Sequence, residues 1–357
     1  MLKVLHVLAS SDVAGAERVA TQIALGARSE ITSAYASPYG DRLARFLADV
    51  GVAYVPLRRM VAREVRREIR RLDPAILHAH DYRASVLAAM TAGRRPVISH
   101  LHSNPPWAGR LCARSLAYLV ALRRIDRVVL ASQSIGDSFL APARLARKSV
   151  LIPNVVDPVL VRRLAGSLPP RQVDLLFVGR LAEEKNPVEF IRIVASLRAT
   201  FPRVRAALIG DGPLMPICRK EIEVRGMGDA VRLLGFQPNP YPWICGAAML
   251  VVPSRFEGFG LAALEALLFG VPVIASPTGG LAEMIRSSGG GRIAYSHREF
   301  VEIAMEWVAN PDNRRRAGEM GRRWAETHCN VENYIARFRN LYDDLTKPPP
   351  GDLLAVA

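Results

Sequence analysis

Two rhythms of apolar residues alternate along this chain. Short β-branched or aliphatic runs, "KVLHVL" (3–8), "ITSAYAS" (31–37), "VAYVPL" (52–57), "AILHAH" (75–80), "PVISHL" (96–101), "RVVLAS" (127–132) and "SVLIP" (149–153), occupy the first half. Between most of them, apolar positions recur every three or four residues, notably over 16–27 and 61–72. The first rhythm predicts buried strands and the second amphipathic helices, and their alternation predicts parallel sheets with helices on both faces. Around 154–171, prolines and polar residues interrupt the pattern, after which "DLLFVG", "RAALIG", "VRLLG", "AMLVVPS" and "PVIAS" start a second series. The expected organisation is α/β, with a Rossmann-like half over 1–165, a second over 166–330, a C-terminal helix over 331–346 and a disordered tail over 347–357. A cleft between two such halves is the natural ligand site.

A chain of 357 residues, half of them apolar, is long enough for two cores. The opening "MLKVLHVLASSD" has too short an apolar run to read as a signal peptide, and no run approaches the roughly 20 residues that cross a bilayer. Cys112, Cys218, Cys245 and Cys329 lie far apart with no paired spacing, which argues for reduced thiols and a cytoplasmic setting.

The net charge of +15 is unevenly placed: residues 1–165 hold 25 Lys or Arg against 12 Asp or Glu, and 166–357 hold 23 against 21. Its densest part is "VAREVRREIRRLDP", where Arg63, Arg66, Arg67, Arg70 and Arg71 follow helical spacing opposite a stripe of Val61, Val65, Ile69 and Leu72. Two readings stand: a solvated outer face of a core helix, or a surface for peripheral contact with anionic lipid on the inner face of a membrane. Nucleic acid is not an expected partner, because no aromatic-interleaved basic motif accompanies the charge.

In the second series, "RFEGFGLAALEALLFG" (255–270) sets Glu257 in a loop after a strand and Glu265 on the apolar face of the following helix. A carboxylate in that helix needs a partner, either an arginine or a pair of ligand hydroxyls. The other strands of this half also end in loops suited to a phosphorylated ligand: "VGRLAEEKNP" with Arg180 and Lys185, "GDGP" with Gly210, and "SPTGG" with Gly279 and Gly280. Gly179 and these glycines let backbone amides approach oxygens closely, and Asn186 suits a left-handed turn.

Taken in order, "VGRLAEEKN", "IGDGP", "LGF" and "PSRFEGFGLAALEALLFGVPVIASPTGG" resemble the C-terminal signature of the retaining GT-B glycosyltransferases called family four, or glycosyl transferases group 1. The resemblance extends to "VAGAER", "ILHAHD", "HLHSN" and "IPNVVD" in the first half. It implies a nucleoside-diphosphate sugar as donor, no cofactor, and transfer of a hexose-type sugar to an acceptor hydroxyl by front-face attack, without a protein nucleophile. It further implies that Arg180 and Lys185 neutralise the donor diphosphate. Glu257, with the amides of Phe259, Gly260 and Leu261, holds the sugar hydroxyls; Glu265 holds the ribose; and Gly15 presents amides to the diphosphate. His102 is implied to contact the transferred sugar, and His80 and Asp81 to lie on the acceptor side. Ala14 and Val155 stand where the family usually has glycine.

Alternation along each strand puts His78 with His80, and His100 with His102, on one face. No metal site is expected, because the spacings are not those of a closed structural site even with Asp81 added, and His78 and His100 are expected to be hydrogen-bonded core residues. The favoured acceptor is a lipid-linked or envelope glycan, with a small natural-product scaffold such as an aminocyclitol as the alternative. A nucleotide-sugar epimerase and a sugar-nucleotide binding protein without turnover are the readings from other classes.

Overall fold

The computed structural model describes residues 1–166 and 173–347. The apolar runs form two wholly parallel sheets. The first holds β1 (Leu2–Val7), β2 (Ile31–Pro38), β3 (Ala53–Leu57), β4 (Ile76–Ala79), β5 (Val97–Leu101), β6 (Arg127–Leu130) and β7 (Ser149–Leu151) in the order β3-β2-β1-β4-β5-β6-β7. The second holds β8 (Val173–Val178), β9 (Ala206–Ile209), β10 (Val231–Leu233), β11 (Ala247–Val252), β12 (Val273–Ala275) and β13 (Gly291–Ile293) in the order β10-β9-β8-β11-β12-β13. Parallel neighbours cannot be joined by a hairpin, so the chain crosses back between them, mostly through helices. This is the GT-B composition of two Rossmann-like sheets expected from the sequence.

Each sheet reverses its direction of growth once. The chain builds outward from β1 to β3 and then returns to place β4 on the other side of β1, and it repeats the manoeuvre from β8 to β10 before β11. The gaps between the carboxyl ends of β1 and β4, and of β8 and β11, are therefore topological switch points, where open α/β sheets bind ligands.

Residues 1–154 and the C-terminal helix Val331–Thr346 form one compact unit, and residues 155–330 the other. The division falls ahead of the expected 165/166 boundary because the helix Pro158–Ala165 packs on the helix Tyr241–Cys245 of the second unit. In the first unit the C-terminal helix lies on Gly15–Gly26 and buries Tyr334, Phe338 and Tyr342. In the second, Phe177, Phe190, Leu208, Met249 and Trp307 centre a continuous core. The strand β13 was not foreseen: three residues behind "SSGGG" give too short an alternation to read. The expected tail lies outside the described residues, apart from Lys347.

All five arginines of the helix Ala62–Leu72 are exposed, with Val65 and Ile69 buried as the pattern predicts. The face is less cationic than its composition suggests. Glu68 accepts from Arg67 at 2.8 Å and from Arg71 at 2.6 Å, which leaves Arg63, Arg66 and Arg70 without an ion pair among the described residues. No described helix is long and apolar enough to cross a membrane.

The helix Leu261–Leu268 is buried along most of its length and is clamped by the helix Pro311–His328 through two glycines. A Cβ at Gly318 would stand 2.0 Å from the Gly270 carbonyl oxygen, and one at Gly321 2.5 Å from Leu267 Cδ2. Gly318→Ala should therefore cost about 1–3 kcal/mol of stability, as overpacking against backbone does. Urea denaturation checks this, and an unchanged midpoint would contradict the clamp.

Candidate functional site

Parallel pairing delivers four loops of the second sheet to one edge: 179–186 after β8, 210–214 after β9, 253–260 after β11 and 276–278 after β12. The β8 and β11 loops flank the switch point and are tied together across it. The Arg255 amide donates to the Glu184 carbonyl at 2.8 Å, and the Lys185 ammonium forms an ion pair with the Glu257 carboxylate. Ser254 Oγ donates to the same carboxylate oxygen at 3.4 Å. The pair is half-open, with side-chain exposures of 27% for Lys185 and 12% for Glu257.

Backbone geometry places both residues. Asn186 adopts φ 52°, ψ 51° and caps the helix Pro187–Arg198, so the chain turns sharply just after Lys185. Gly260 adopts φ 92° and caps Leu261–Leu268, where a side chain would both strain the backbone and meet Leu281 Cδ1 at 2.9 Å. The amides of Phe259, Gly260 and Leu261 donate to no acceptor among the described residues, leaving a helix N-terminus with donors to offer. By contrast, the Gly179, Gly210 and Gly280 amides are engaged inside the protein, by Ile209 at 3.0 Å, Gly235 at 2.8 Å and Gly258 at 3.1 Å. Gly210 serves close packing instead, since its Cβ would lie 1.9 Å from the Gly179 carbonyl oxygen. Gly279, at φ 49°, opens the helix that Thr278 caps, and the Thr278 hydroxyl is buried without a partner.

Glu265 is 7% exposed and accepts from the Tyr241 hydroxyl at 3.2 Å, on the helix that the Glu257 loop enters. Arg180 is exposed and forms no ion pair among the described residues, so of the charged side chains expected to bind the donor, Lys185 and Glu257 are the two that pair among the described residues.

At the first unit's switch point, Asp81 caps the helix Tyr82–Thr91 by accepting from the Ala84 amide at 2.7 Å and reaches across to the Ala9 amide at 2.7 Å. Gly15 opens the helix Gly15–Gly26, where Glu17 accepts from the Ala14 amide at 3.0 Å. Burial, reinforced by Asp81, raises the Glu17 carboxyl to about 7.

Beside them lie five imidazoles. His6 Nδ1 meets His80 Nε2 at 2.9 Å, His80 Nδ1 meets His102 Nε2 at 3.1 Å, and His78 Nδ1 meets the Tyr342 hydroxyl at 2.7 Å. The expected shared faces are observed, with ring centroids 4.2 Å apart for His78 and His80 and 4.0 Å for His100 and His102. One expectation fails: His100 is buried but neither ring nitrogen has a hydrogen-bond partner, because it is stacked among other rings with no polar group in reach. Burial lowers His6 and His102 to about 3 and holds His78, His80 and His100 well below their ordinary value.

Sequence reasoning missed Ser254, Tyr241, His6 and Tyr342. Ser254 stands three residues before Glu257 and was open to discovery. His6 needed the pairing of β1 with β4, which sets it opposite His78. Tyr241 and Tyr342 carry no local signal.

Comparison with known proteins agrees with this architecture. The chain matches Glycosyltransferase Family 4 over residues 13–160 and Glycosyl transferases group 1 over residues 165–324. The Anabaena protein HepE, solved with UDP-glucose, superposes with a TM-score of 0.82 at 18% identity, covering 96% of this chain and 100% of that one. D-inositol 3-phosphate glycosyltransferase of Streptomyces coelicolor is 32% identical over 174 residues, 45% of this chain and 38% of that protein. Alpha-D-kanosaminyltransferase of Streptomyces kanamyceticus is 29% identical over 149 residues, 41% of this chain and 39% of that protein. The matches thus span about two fifths of the length of these curated relatives. The fold is GT-B. The chain is similar to the glycosyl transferases group 1 family over residues 165–324, somewhat less than half of its length.

The buried histidines set a pH dependence. Each unfolds to an ordinary value near 6.5, so as pH falls below that the unfolded chain takes up protons that the folded chain refuses. Their stabilisation is complete above about pH 6.5 and is lost as pH falls below it, toward about pH 3 for His6 and His102, by up to about 1.4 kcal/mol per pH unit for each histidine. Glu17 acts oppositely, gaining stability as pH falls from about 7 to 4.5, and Asp81, whose carboxyl burial also raises, acts in the same sense, but they are two groups against five. Melting temperature should fall steadily from pH 7 to pH 5; a flat or rising profile would contradict the neutral cluster.

Proposed function

We propose that the protein is a retaining glycosyltransferase that moves a hexose-type sugar from a nucleoside diphosphate to an acceptor hydroxyl. The observation that carries this reading is the Lys185–Glu257 pair at the β8/β11 switch point. In a nucleotide sugar, the anomeric carbon is bonded to a phosphate oxygen, so a cation for the diphosphate and an acceptor for sugar hydroxyls must stand side by side. This pair supplies both. Lys185 and the neighbouring Arg180 stabilise the charge that develops on the leaving diphosphate as the glycosidic bond breaks. Glu257 and the unengaged amides at 259–261 orient the sugar, and Glu265 with Tyr241 meets the ribose diol. The donor phosphate takes the acceptor's proton, so no carboxylate nucleophile is needed. His80 and Asp81, at the first unit's switch point, are assigned to the acceptor side.

Lys185→Ala should lower kcat by on the order of 10²–10³-fold with the fold intact, as loss of one transition-state charge partner does. Glu265→Gln should raise the donor Kd by about tenfold or more while leaving kcat nearly unchanged. Radiolabelled nucleotide sugar with and without acceptor makes the test: unchanged turnover in Lys185→Ala, or conversion of the donor without acceptor, would overturn the reading.

For the acceptor, a lipid-linked or envelope glycan is favoured by Arg63, Arg66 and Arg70, together with a nearby apolar surface. The helix Tyr82–Thr91 packs between Ala62–Leu72 and Ala113–Ala121. The last of these helices exposes Leu116 and Val120 next to Arg114. Exposed apolar side chains beside arginines suit an anionic bilayer surface. A small polyol or aminocyclitol is the second reading, supported by the names of the inositol phosphate and kanosaminyl transferases that the chain resembles. Replacing Arg63, Arg66 and Arg70 with glutamine should cut retention on phosphatidylglycerol vesicles several-fold, with little change on phosphatidylcholine. Equal and negligible retention of both proteins would leave the small acceptor as the reading.

A further inference from the structure

Five imidazoles, four buried and His102 partly so, on or directly after three adjacent strands, are more than one cleft histidine requires. His6 and His78 are register partners on β1 and β4, and His80 follows directly on the same side. One ring nitrogen from each of His6, His78 and His80 lies within 4.8 Å of one from each of the others. The three are at most 1% exposed. His78 is anchored through Nδ1 by the Tyr342 hydroxyl at 2.7 Å, and its Nε2 is buried with no partner. His6 Nε2 is likewise buried and unpartnered. A polar atom left so costs about 1–3 kcal/mol, which the hydrogen-bond network around it does not return.

We propose that His6, His78 and His80 form a binding site for a zinc-class divalent cation. Neutral imidazole is the ligand such ions take most readily, and a three-histidine set leaves one position of a tetrahedron for water. Zinc–nitrogen distances of about 2.0–2.1 Å set the ligating nitrogens about 3.4 Å apart, within the 4.8 Å that bounds one nitrogen from each ring here. Tyr342 plays the part of the outer partner that fixes a ligating imidazole through its other nitrogen. Asp81 is not itself a ligand, because its oxygens are held by the Ala9 and Ala84 amides. A cation on His80 Nε2 keeps the proton on His80 Nδ1, directed at His102 Nε2 3.1 Å away. The ion would thereby fix the tautomer of the histidine assigned to the transferred sugar.

The proposal stands independently of the transferase reading, and its test does not use turnover. The full chain, produced without a polyhistidine tag, is treated with chelator, incubated with Zn²⁺, passed over gel filtration and assayed for metal by mass spectrometry. About one equivalent should be retained, and melting temperature should rise over the chelated protein, as binding to the folded state alone requires. The Co²⁺ form should show the visible absorption of a four-coordinate site. His6→Asn and His78→Gln should each retain less than about a tenth of an equivalent, and His100→Asn should retain the ion. Wild-type protein that holds no metal and does not gain stability overturns the proposal without any variant. Loss of metal in His100→Asn with retention in folded His6→Asn also overturns it, by assigning the ion to the neighbouring set of His80, His100 and His102.

Discussion

Parallel strand pairing is the constraint from which the rest follows. Because every strand in each sheet runs the same way, all loops that leave the carboxyl ends of the strands gather at one edge, whatever their separation in sequence. Lys185 and Glu257 are 72 residues apart and still meet, because β8 and β11 are neighbours at the point where strand order reverses. In the first unit the same reversal brings the Ala9 amide to Asp81, also 72 residues away. The sheet does the assembling, and the loops need only supply chemistry.

What these loops supply is charge held at the boundary of a low-dielectric interior. An exposed lysine–glutamate pair contributes little to stability. At the edge of a sheet core, with one partner mostly covered and a serine hydroxyl on the same oxygen, the pair is held in a fixed geometry that water alone would not impose. Glu265 lies deeper, in a helix packed nearly all round, and needs the Tyr241 hydroxyl to be tolerated there. The two glutamates thus differ in setting. One is paired with a cation at the edge of the sheet, and the other lies in a packed helix against the Tyr241 phenol.

The strand and helix alternation, the two sheets and the position of Lys185, Glu257 and Asn186 were legible in the chain, because period-two runs, loop glycines and charged residues in apolar contexts are local signals. The strand β13 was not, since three residues beside a glycine tract carry no periodicity. The side to which the helix Pro158–Ala165 belongs was not legible, because a helix's allegiance depends on what it packs against, and "VLVRRLA" is amphipathic wherever it docks. The self-neutralised arginines show the same limit: Glu68 sits in plain view in the sequence, but only the helix geometry reveals that it serves both Arg67 and Arg71. The histidine cluster was half legible. Alternation found two pairs, and strand order, which sequence does not give, added His6 and the distant Tyr342.

The central claim is that the Lys185–Glu257 pair is where a nucleotide sugar is gripped. A crystal structure of the protein with a non-hydrolysable nucleotide sugar tests it most directly. The account requires diphosphate oxygens at hydrogen-bond distance from Lys185 Nζ, roughly 2.7–3.2 Å, with a sugar hydroxyl on the Glu257 carboxylate. A donor bound elsewhere, with the Lys185–Glu257 pair intact and untouched, would contradict it.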